Sequence, residues 1–392
     1  MSWPIVKLGD IVDIKGGGTP SKSNPDFWGG DIPWASVKDF KTSSLKETAD
    51  YITELGVEKS ATNVIPAGNV IVPTRMALGK VAINEVDIAI NQDLKALLVR
   101  DEQTLSKLYL MRFLESKSAF IDEQGKGATV KGITLDVLRN LDVPLPPLTE
   151  QKRIATILDK ADAIRRKRQQ AIQLADEFLR AVFLDMFGDP VSNPKGWEVK
   201  PLGDFCRFQG GFAFKSADFT DSGVPLVKIT NVHFENVDWS DISYLPEKML
   251  TEKPDFSLRS GDLVMAMTRP IIKSLNAVKV VEIKDNDIPS LLNQRVGRFR
   301  GYEQSASKCF LKYFLYSEYF KSEVDKLCSV ALQPNVSSKQ IESIACYLPP
   351  KVLQDDFSRI VNVVTEALPK MNVAANEKLF ESLSHRAFSG IL

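Results

Sequence analysis

Little in this 392-residue chain could carry catalysis. Histidine occurs twice, as His233 and His385, which leaves few candidates for histidine-dependent nucleophilic chemistry. The four cysteines, Cys206, Cys309, Cys328 and Cys346, form no CxxC pair, so ligands for a His/Cys zinc site are scarce and no metal is expected. Residues Gly16-Gly17-Gly18-Thr19-Pro20-Ser21-Lys22-Ser23 resemble a phosphate loop up to the position before the lysine, where that pattern needs glycine and Ser21 stands. Pro20 also removes an amide that would cradle phosphate. No GxGxxG follows a strand-like run, so no dinucleotide or methyl-donor fold is signalled. Pro254-Asp255 with Glu282-Ile283-Lys284 has the composition of a magnesium nuclease triad. Such triplets arise easily among 50 basic and 50 acidic residues, and the first half of the chain has no equivalent at the matched place.

The elements that would position any site belong to an ordinary globular protein. Hydrophobic residues make 44% of the chain and charged residues 26%, which supports a sizeable core and excludes global disorder. The length suggests two to three domains. No run of 18 apolar residues exists, so no membrane span is expected. The amino terminus lacks a basic stretch followed by an apolar one, and buried thiols in a reduced, cytoplasmic protein are the plain reading. Charge neutrality gives no global sign of nucleic acid, although a local basic patch would be enough.

An internal repeat organises the sequence. Trp3 and Leu8-Gly9-Asp10 recur as Trp197 and Leu202-Gly203-Asp204, and Gly16-Gly17 as Gly210-Gly211, at an offset of ~194. Thr74-Arg75 corresponds to Thr268-Arg269, and Asn91-Gln92 to Asn293-Gln294. Leu145-Pro146-Pro147, Gln151 and Ile157 match Leu348-Pro349-Pro350, Gln354 and Ile360. Each copy begins as a mixed region, with short apolar runs such as Val70-Ile71-Val72 and Leu263-Val264-Met265 reading as strands. Each ends in a helix. Ile154, Ile157, Ile164, Arg168 and Phe178 fall on a heptad-like seam, within a rod of ~57 Å for residues 149–186. Phe357, Ile360, Val364 and Met371 fall on the second seam, where Pro369 predicts a kink. Matched helices of this kind can pair antiparallel.

At the junctions the chain resembles the specificity subunit of type I restriction-modification systems, over essentially its whole length. The residues that carry the resemblance are Leu145 to Ala155, Phe187-Gly188-Asp189-Pro190 with Lys195-Gly196-Trp197, and His385-Arg386-Ala387-Phe388-Ser389-Gly390. Gly17-Gly18-Thr19-Pro20-Ser21 and Ile32-Pro33-Trp34 add to it. The resemblance implies an α+β fold. Two similar mixed α/β target-recognition domains would be separated by two long antiparallel coiled-coil-like helices in a pseudo-two-fold repeat. The expected boundaries are 1–147 for the first domain, 148–188 for the central helix, 189–349 for the second domain and 350–392 for the C-terminal helix. It also implies a non-catalytic chain that reads a bipartite, asymmetric site in double-stranded DNA. Two modification subunits would methylate adenine N6, and restriction subunits would cleave. S-adenosylmethionine, ATP and magnesium would belong to those partners, with no cofactor in this chain.

Loops between strands are the natural places for base contacts. In the first domain Thr19, Ser21, Lys22, Trp34, Lys38, Arg75, Gln92, Lys126 and Lys131 are candidates. In the second they are Phe212, Lys215, Lys228, Arg269, Gln294, Gln333 and Asn335. Arginine suits guanine, and asparagine or glutamine suits adenine, in the major groove. Each has a structural alternative: a glycine turn at positive φ, an internal salt bridge for Arg75 and Arg269, a core anchor for Trp34, a turn cap for Asn91-Gln92. The helix seams, Arg168 included, are candidate spacer or partner contacts. Two rival functions stay open: a restriction enzyme with its own nuclease centre, and a repeat-built scaffold that binds no DNA.

Overall fold

The computed structural model describes residues 3–127, 130–233, 236–267, 279–328, 336–368 and 373–392. Arg269, Gln333, Asn335 and Met371, together with Pro369, lie outside the described residues. The chain divides into two compact units, Met1–Gln170 with Met371–Leu392, and Ala171–Lys370.

In the first unit, a five-stranded sheet runs in the order Val12–Gly16, Leu94–Val99, Val70–Pro73, Ala82–Asn84, Ser44–Leu45. The second unit has a four-stranded sheet in the order Arg207–Gly210, Val296–Arg300, Leu263–Ala266, Val280–Glu282. Its four positions reproduce the first four of the first unit's sheet. The register agrees as well: Gly16 pairs with Lys95, and Gly210 with Gly297. Both apolar runs read as strands lie at the centre of these sheets, where a strand covered on both faces is apolar throughout. A second parallel pairing repeats too. Trp34 and Ala35 lie beside Ala89 and Ile90, and Leu226 and Val227 lie beside Leu291 and Leu292. The first strand of each unit pairs with the strand entering its spacer helix, Ile5–Lys7 with Asp142–Pro144 and Val199–Pro201 with Ala345–Tyr347. The chain is thus α+β, a mixed domain occurring twice.

The central helix is continuous over Leu148–Phe187, 40 residues. It starts after Pro146-Pro147, where Pro147 O accepts from the Glu150 and Gln151 amides. It stops at Gly188, whose φ of +83° is the left-handed conformation that closes helices. The Trp197 indole N–H donates to the otherwise orphaned Phe187 carbonyl at 2.8 Å, and the Tyr347 hydroxyl donates to Gly188 O at 2.8 Å.

The expected C-terminal helix is realised as two, Lys351–Ala367 and Val373–Phe388. Leu368 already turns to ψ 115°, as the residue before a proline must, because the ring excludes the helical region. Each unit therefore combines a mixed domain, the first half of its own helix and the second half of the other. In the first unit, Arg153 meets the Leu392 carbonyl and Arg165 lies 5.7 Å from the Phe380 ring. Ascending the first helix from Arg153 to Arg165 thus corresponds to descending from the segment after Phe388 to Phe380, so the pair is antiparallel.

The helix seam differs from the heptad drawn from spacing. The buried apolar residues are Ile154, Ala155 and Leu158 in the first unit, with Gln151 and Asp162 also buried, and Leu179, Phe183 and Phe187 in the second. Most stand four residues apart (Gln151–Ala155, Ile154–Leu158–Asp162, Leu179–Phe183–Phe187), the ridge of an ordinary helix packed on a core. Ile157 is half-buried, whereas Ile164 is 50% and Phe178 52% exposed, and Arg168 is also exposed. Phe357 is fully buried, with Ile360 and Val364 packed beside it. Phe183, Phe187, Phe310 and Phe357 form one aromatic cluster with ring separations of 5.1 to 5.7 Å. Burial pushes the Cys206 thiol up to about 12, and Cys346 well above the ordinary value.

Gln151 and Gln354, matched in sequence, are both fully buried at the helix entrances. Gln151 accepts from the Ser106 amide and donates to the Thr104 and Pro146 carbonyls, at 2.8 to 2.9 Å. Gln354 accepts from the Ser307 amide and donates to the Ser305 and Pro349 carbonyls, at 2.7 to 3.0 Å. A buried amide with all these positions satisfied fixes geometry, since loss of either partner would strand polar groups.

Candidate nucleic-acid interface

The glycine-rich segments follow the first sheet strand of each unit and cross the end of the parallel pair. The Gly18 amide donates to Ile90 O and the Phe212 amide to Leu292 O, both at 3.0 Å. A Cβ on Gly17 would stand 1.9 Å from Ile90 O, and one on Gly211 2.2 Å from Asn293 O. Neither glycine has a positive φ. The requirement for glycine is close approach of two backbones, rather than the left-handed turn weighed as the structural alternative. Gly17→Ala and Gly211→Ala should each destabilise their unit by about 3 kcal/mol, because a hydrogen-bonded carbonyl must move. Gly16→Ala and Gly210→Ala are the controls, with nearest atoms at 3.6 and 3.8 Å. Denaturant midpoints that fail to separate the two pairs would refute the close-approach account.

In the first unit this crossing gathers most of the candidates. Thr19 donates to the side chain of exposed Gln92. Arg75, 64% exposed, reaches Asp93 at 3.8 Å, a long contact that holds the guanidinium loosely. Asn91 is buried and its side-chain Oδ1 accepts from the Asp93 amide, so Asn91 caps the turn and Gln92 is left to face outward. Arg75 and Lys126 both bridge to Gly132, and the Met76 amide donates to Lys131 O. Thr19, Arg75, Gln92, Lys126 and Lys131 therefore converge at one sheet end. Lys126 and Lys131 are exposed, with Lys131 3.3 Å from Asp122.

Ser21 and Lys22 are exposed in the next turn; Ser21 is bonded to Ser23, and its carbonyl accepts from the Trp28 indole. Lys38 is exposed in the short helical turn Val37–Asp39. Trp34 is corrected to a core anchor. It is 5% exposed, donates to Gly18 O at 3.0 Å, packs edge-on to Trp28, and matches buried Leu226 in strand register.

The second unit uses different chemistry at the equivalent crossing. Phe212 packs on Phe214 and Phe256, and the Lys253 ammonium lies 4.4 Å from the Phe212 ring. Lys215 and Gln294 are exposed. Lys228 is tied internally to Asp241 and Ser243, both at 3.0 Å, so its charge is engaged within the domain. Of the nuclease-like triplet, Glu282 is engaged elsewhere, holding Lys312 at 2.6 Å and Lys308 at 3.7 Å.

Lys95 was not among the candidates, yet it stands in this cluster, donating to the Gln92 and Leu94 carbonyls. Half-burial lowers its pKa, opposed by Asp93 and reinforced by Arg75. The signal was a lone lysine in the otherwise apolar strand Leu94–Val99.

Comparison with known proteins places the chain. The model of the type I restriction modification DNA specificity domain matches residues 2–174 and again 194–372. The MjaVIII specificity subunit of a type I restriction enzyme from Methanocaldococcus jannaschii is 30% identical over 381 residues, covering 92% of this chain and 87% of that one. The MjaIX specificity subunit from the same organism is 25% identical, covering 93% and 87%. The crystal structure of a type I restriction-modification S subunit from M. genitalium shares the fold, with TM-score 0.61 at 15% identity, over 99% of this chain and 96% of that one. A duplicated mixed domain with exposed polar groups at matching strand ends is thus the architecture of a DNA specificity protein. The chain belongs to the type I restriction-modification DNA specificity family, as a specificity subunit with two target-recognition domains. Among the described residues no helix is long and apolar enough to cross a membrane.

Proposed function

We propose that each target-recognition domain reads one half of a bipartite, asymmetric site in double-stranded DNA, and that this chain performs no chemistry itself. Two modification subunits, carrying S-adenosylmethionine, methylate adenine N6 in the two half-sites. Restriction subunits, carrying ATP and magnesium, cleave unmodified DNA. Methylation of a base inside a duplex requires it to be turned out into a pocket, so the reader must grip the duplex beside that base. The observation that carries this reading is the repeated crossing at Gly17 and Gly211, which supports polar, outward-facing side chains at the same sheet end of both units.

Methylome sequencing of a host expressing the chain with its partners gives the recognised motif. Arg75→Ala and Gln92→Ala should each weaken binding by ~1–3 kcal/mol and relax one position in one half-site, since a bidentate base contact discriminates by about that much. Folding should be nearly unchanged, because both side chains are exposed. Wild-type motif fidelity in both variants would move recognition away from this sheet end.

A further inference from the structure

A groove in the first unit, away from the glycine crossing, is lined by Lys41, Lys80, Ser118, Arg165 and Arg166. Its charges are layered. Asp162 receives Arg112 at 3.4 Å, Arg165 at 2.9 Å and Arg166 at 3.3 Å. Arg112, 4% exposed, is also matched by Glu115 at 2.7 Å and Asp159 at 2.6 Å. The Asp162 side chain is 7% exposed, whereas those of Arg165 and Arg166 are 39% and 51% exposed. The carboxylate thus lies beneath and the guanidinium groups outside, so the surface presents positive charge while the layer below holds it in place. Lys41 adds an exposed ammonium group that makes no ion pair among the described residues, and Lys80, an exposed residue, donates to the Phe40 carbonyl at 2.9 Å and has further N–H groups to offer.

This groove is joined to the reading end of the same domain. Arg75 and Lys80 stand five residues apart, hence no more than ~19 Å between Cα atoms. Phosphates along one strand advance by ~3.4 Å each, so both lysine and arginine fall within about six phosphates of one strand. The short helix Ser118–Glu123 makes the second link: Ser118 lines the groove and Asp122 pairs with Lys131. The second unit lacks the device. At the positions matching Asp159, Asp162 and Arg165 stand Asn362, Thr365 and Leu368, and Tyr313 takes the place of Arg112.

Given the DNA-reading role proposed above, on which this rests, we propose that Lys41, Lys80, Arg165 and Arg166 form a one-sided track for the phosphate backbone continuing past the first half-site. Such contacts position the duplex and carry no sequence information. They make binding more salt-sensitive, because each neutralised phosphate releases counterions.

The test uses the full complex of this chain with its modification subunits and a duplex bearing its own methylated motif. The combined variant Lys41→Ala, Lys80→Ala, Arg166→Ala should reduce the slope of log affinity against log salt by ~2–3. Its deficit against wild type should then be roughly 40-fold larger at about 50 mM than at about 200 mM salt. The methylated motif should stay the same. Lys41→Glu alone, on an exposed side chain, should lower the slope without touching the buried ion cluster, and serves if the triple variant folds poorly. An unchanged slope in folded Lys41→Glu overturns the track. So does release of the modification subunits from DNA-free complex at low salt, which would assign the groove to an acidic protein face. Failure of the reading itself shows separately, as an unrelaxed motif in Arg75→Ala and Gln92→Ala.

Discussion

Exchanging residues 1–143 for the first target-recognition domain of another family member should replace one half of the methylated motif and leave the other half intact. The effect is large because each mismatched base pair costs ~1–3 kcal/mol, and these terms add over the several pairs of a half-site. The structure supplies a reason for the joint to survive the exchange. Gln151, which stays with the helix, holds the domain through backbone groups: the Ser106 amide and the Thr104 carbonyl. A hydrogen bond to backbone is indifferent to the side chains that differ between relatives. The apolar side of the joint does depend on them, since the Tyr109 and Phe113 rings pack tilted and edge-on against Phe388 at 5.4 and 5.6 Å. The donor domain should therefore carry aromatic or large aliphatic residues at those two positions. Methylome sequencing reads the result directly. A change in both halves would show that the two domains do not read independently.

The duplication, and with it the α+β architecture, was legible because its markers do structural work at single positions. Gly188 closes the central helix, Trp197 satisfies its last carbonyl, and Leu8 and Leu202 begin matching strand-to-helix turns whose amides bond to Leu141 O and Ile344 O. The helix seam was less legible. Apolar residues in alternate three and four spacing fit a coiled coil, but two different cores claim the two ends of the helix, each taking residues mostly four apart. Leu179 and Phe183 rather than Phe178 face the second core, a choice of register that depends on the domain packed against it. Trp34 could not be told from a groove contact until the strand register set it opposite Ala89 beneath the glycine crossing. Gln151 and Gln354 were visible as a matched pair, but their role needs loops about 45 residues away in sequence, which no local pattern reveals.

Gln354→Leu should destabilise the second unit by about 3–5 kcal/mol. Leucine has nearly the volume to fill the site, so lost packing is a small part. The larger part is three backbone groups left without their partner: the buried Pro349 carbonyl, and the partly buried Ser307 amide and Ser305 carbonyl. Each stranded group costs ~1–3 kcal/mol, reduced where water or local shifts recover some bonding. Gln354→Glu separates this cause from shape. Its carboxylate would face two carbonyls in a dry site, which raises its folded pKa above the unfolded value. A raised folded pKa gives stability that is fully present below the unfolded pKa and is lost as pH rises through the folded one. Gln354→Glu should therefore approach wild type in mild acid, where the protonated acid can still donate one bond, and fall towards Gln354→Leu near neutrality. Hydrogen exchange localises the effect, with protection lost around 305–316 and at the start of the Lys351–Ala367 helix, and the strands of the first unit unchanged. A Gln354→Glu protein whose stability relative to wild type is flat over that pH range would show that the glutamine acts by size, and that the bonds it makes hold nothing in place.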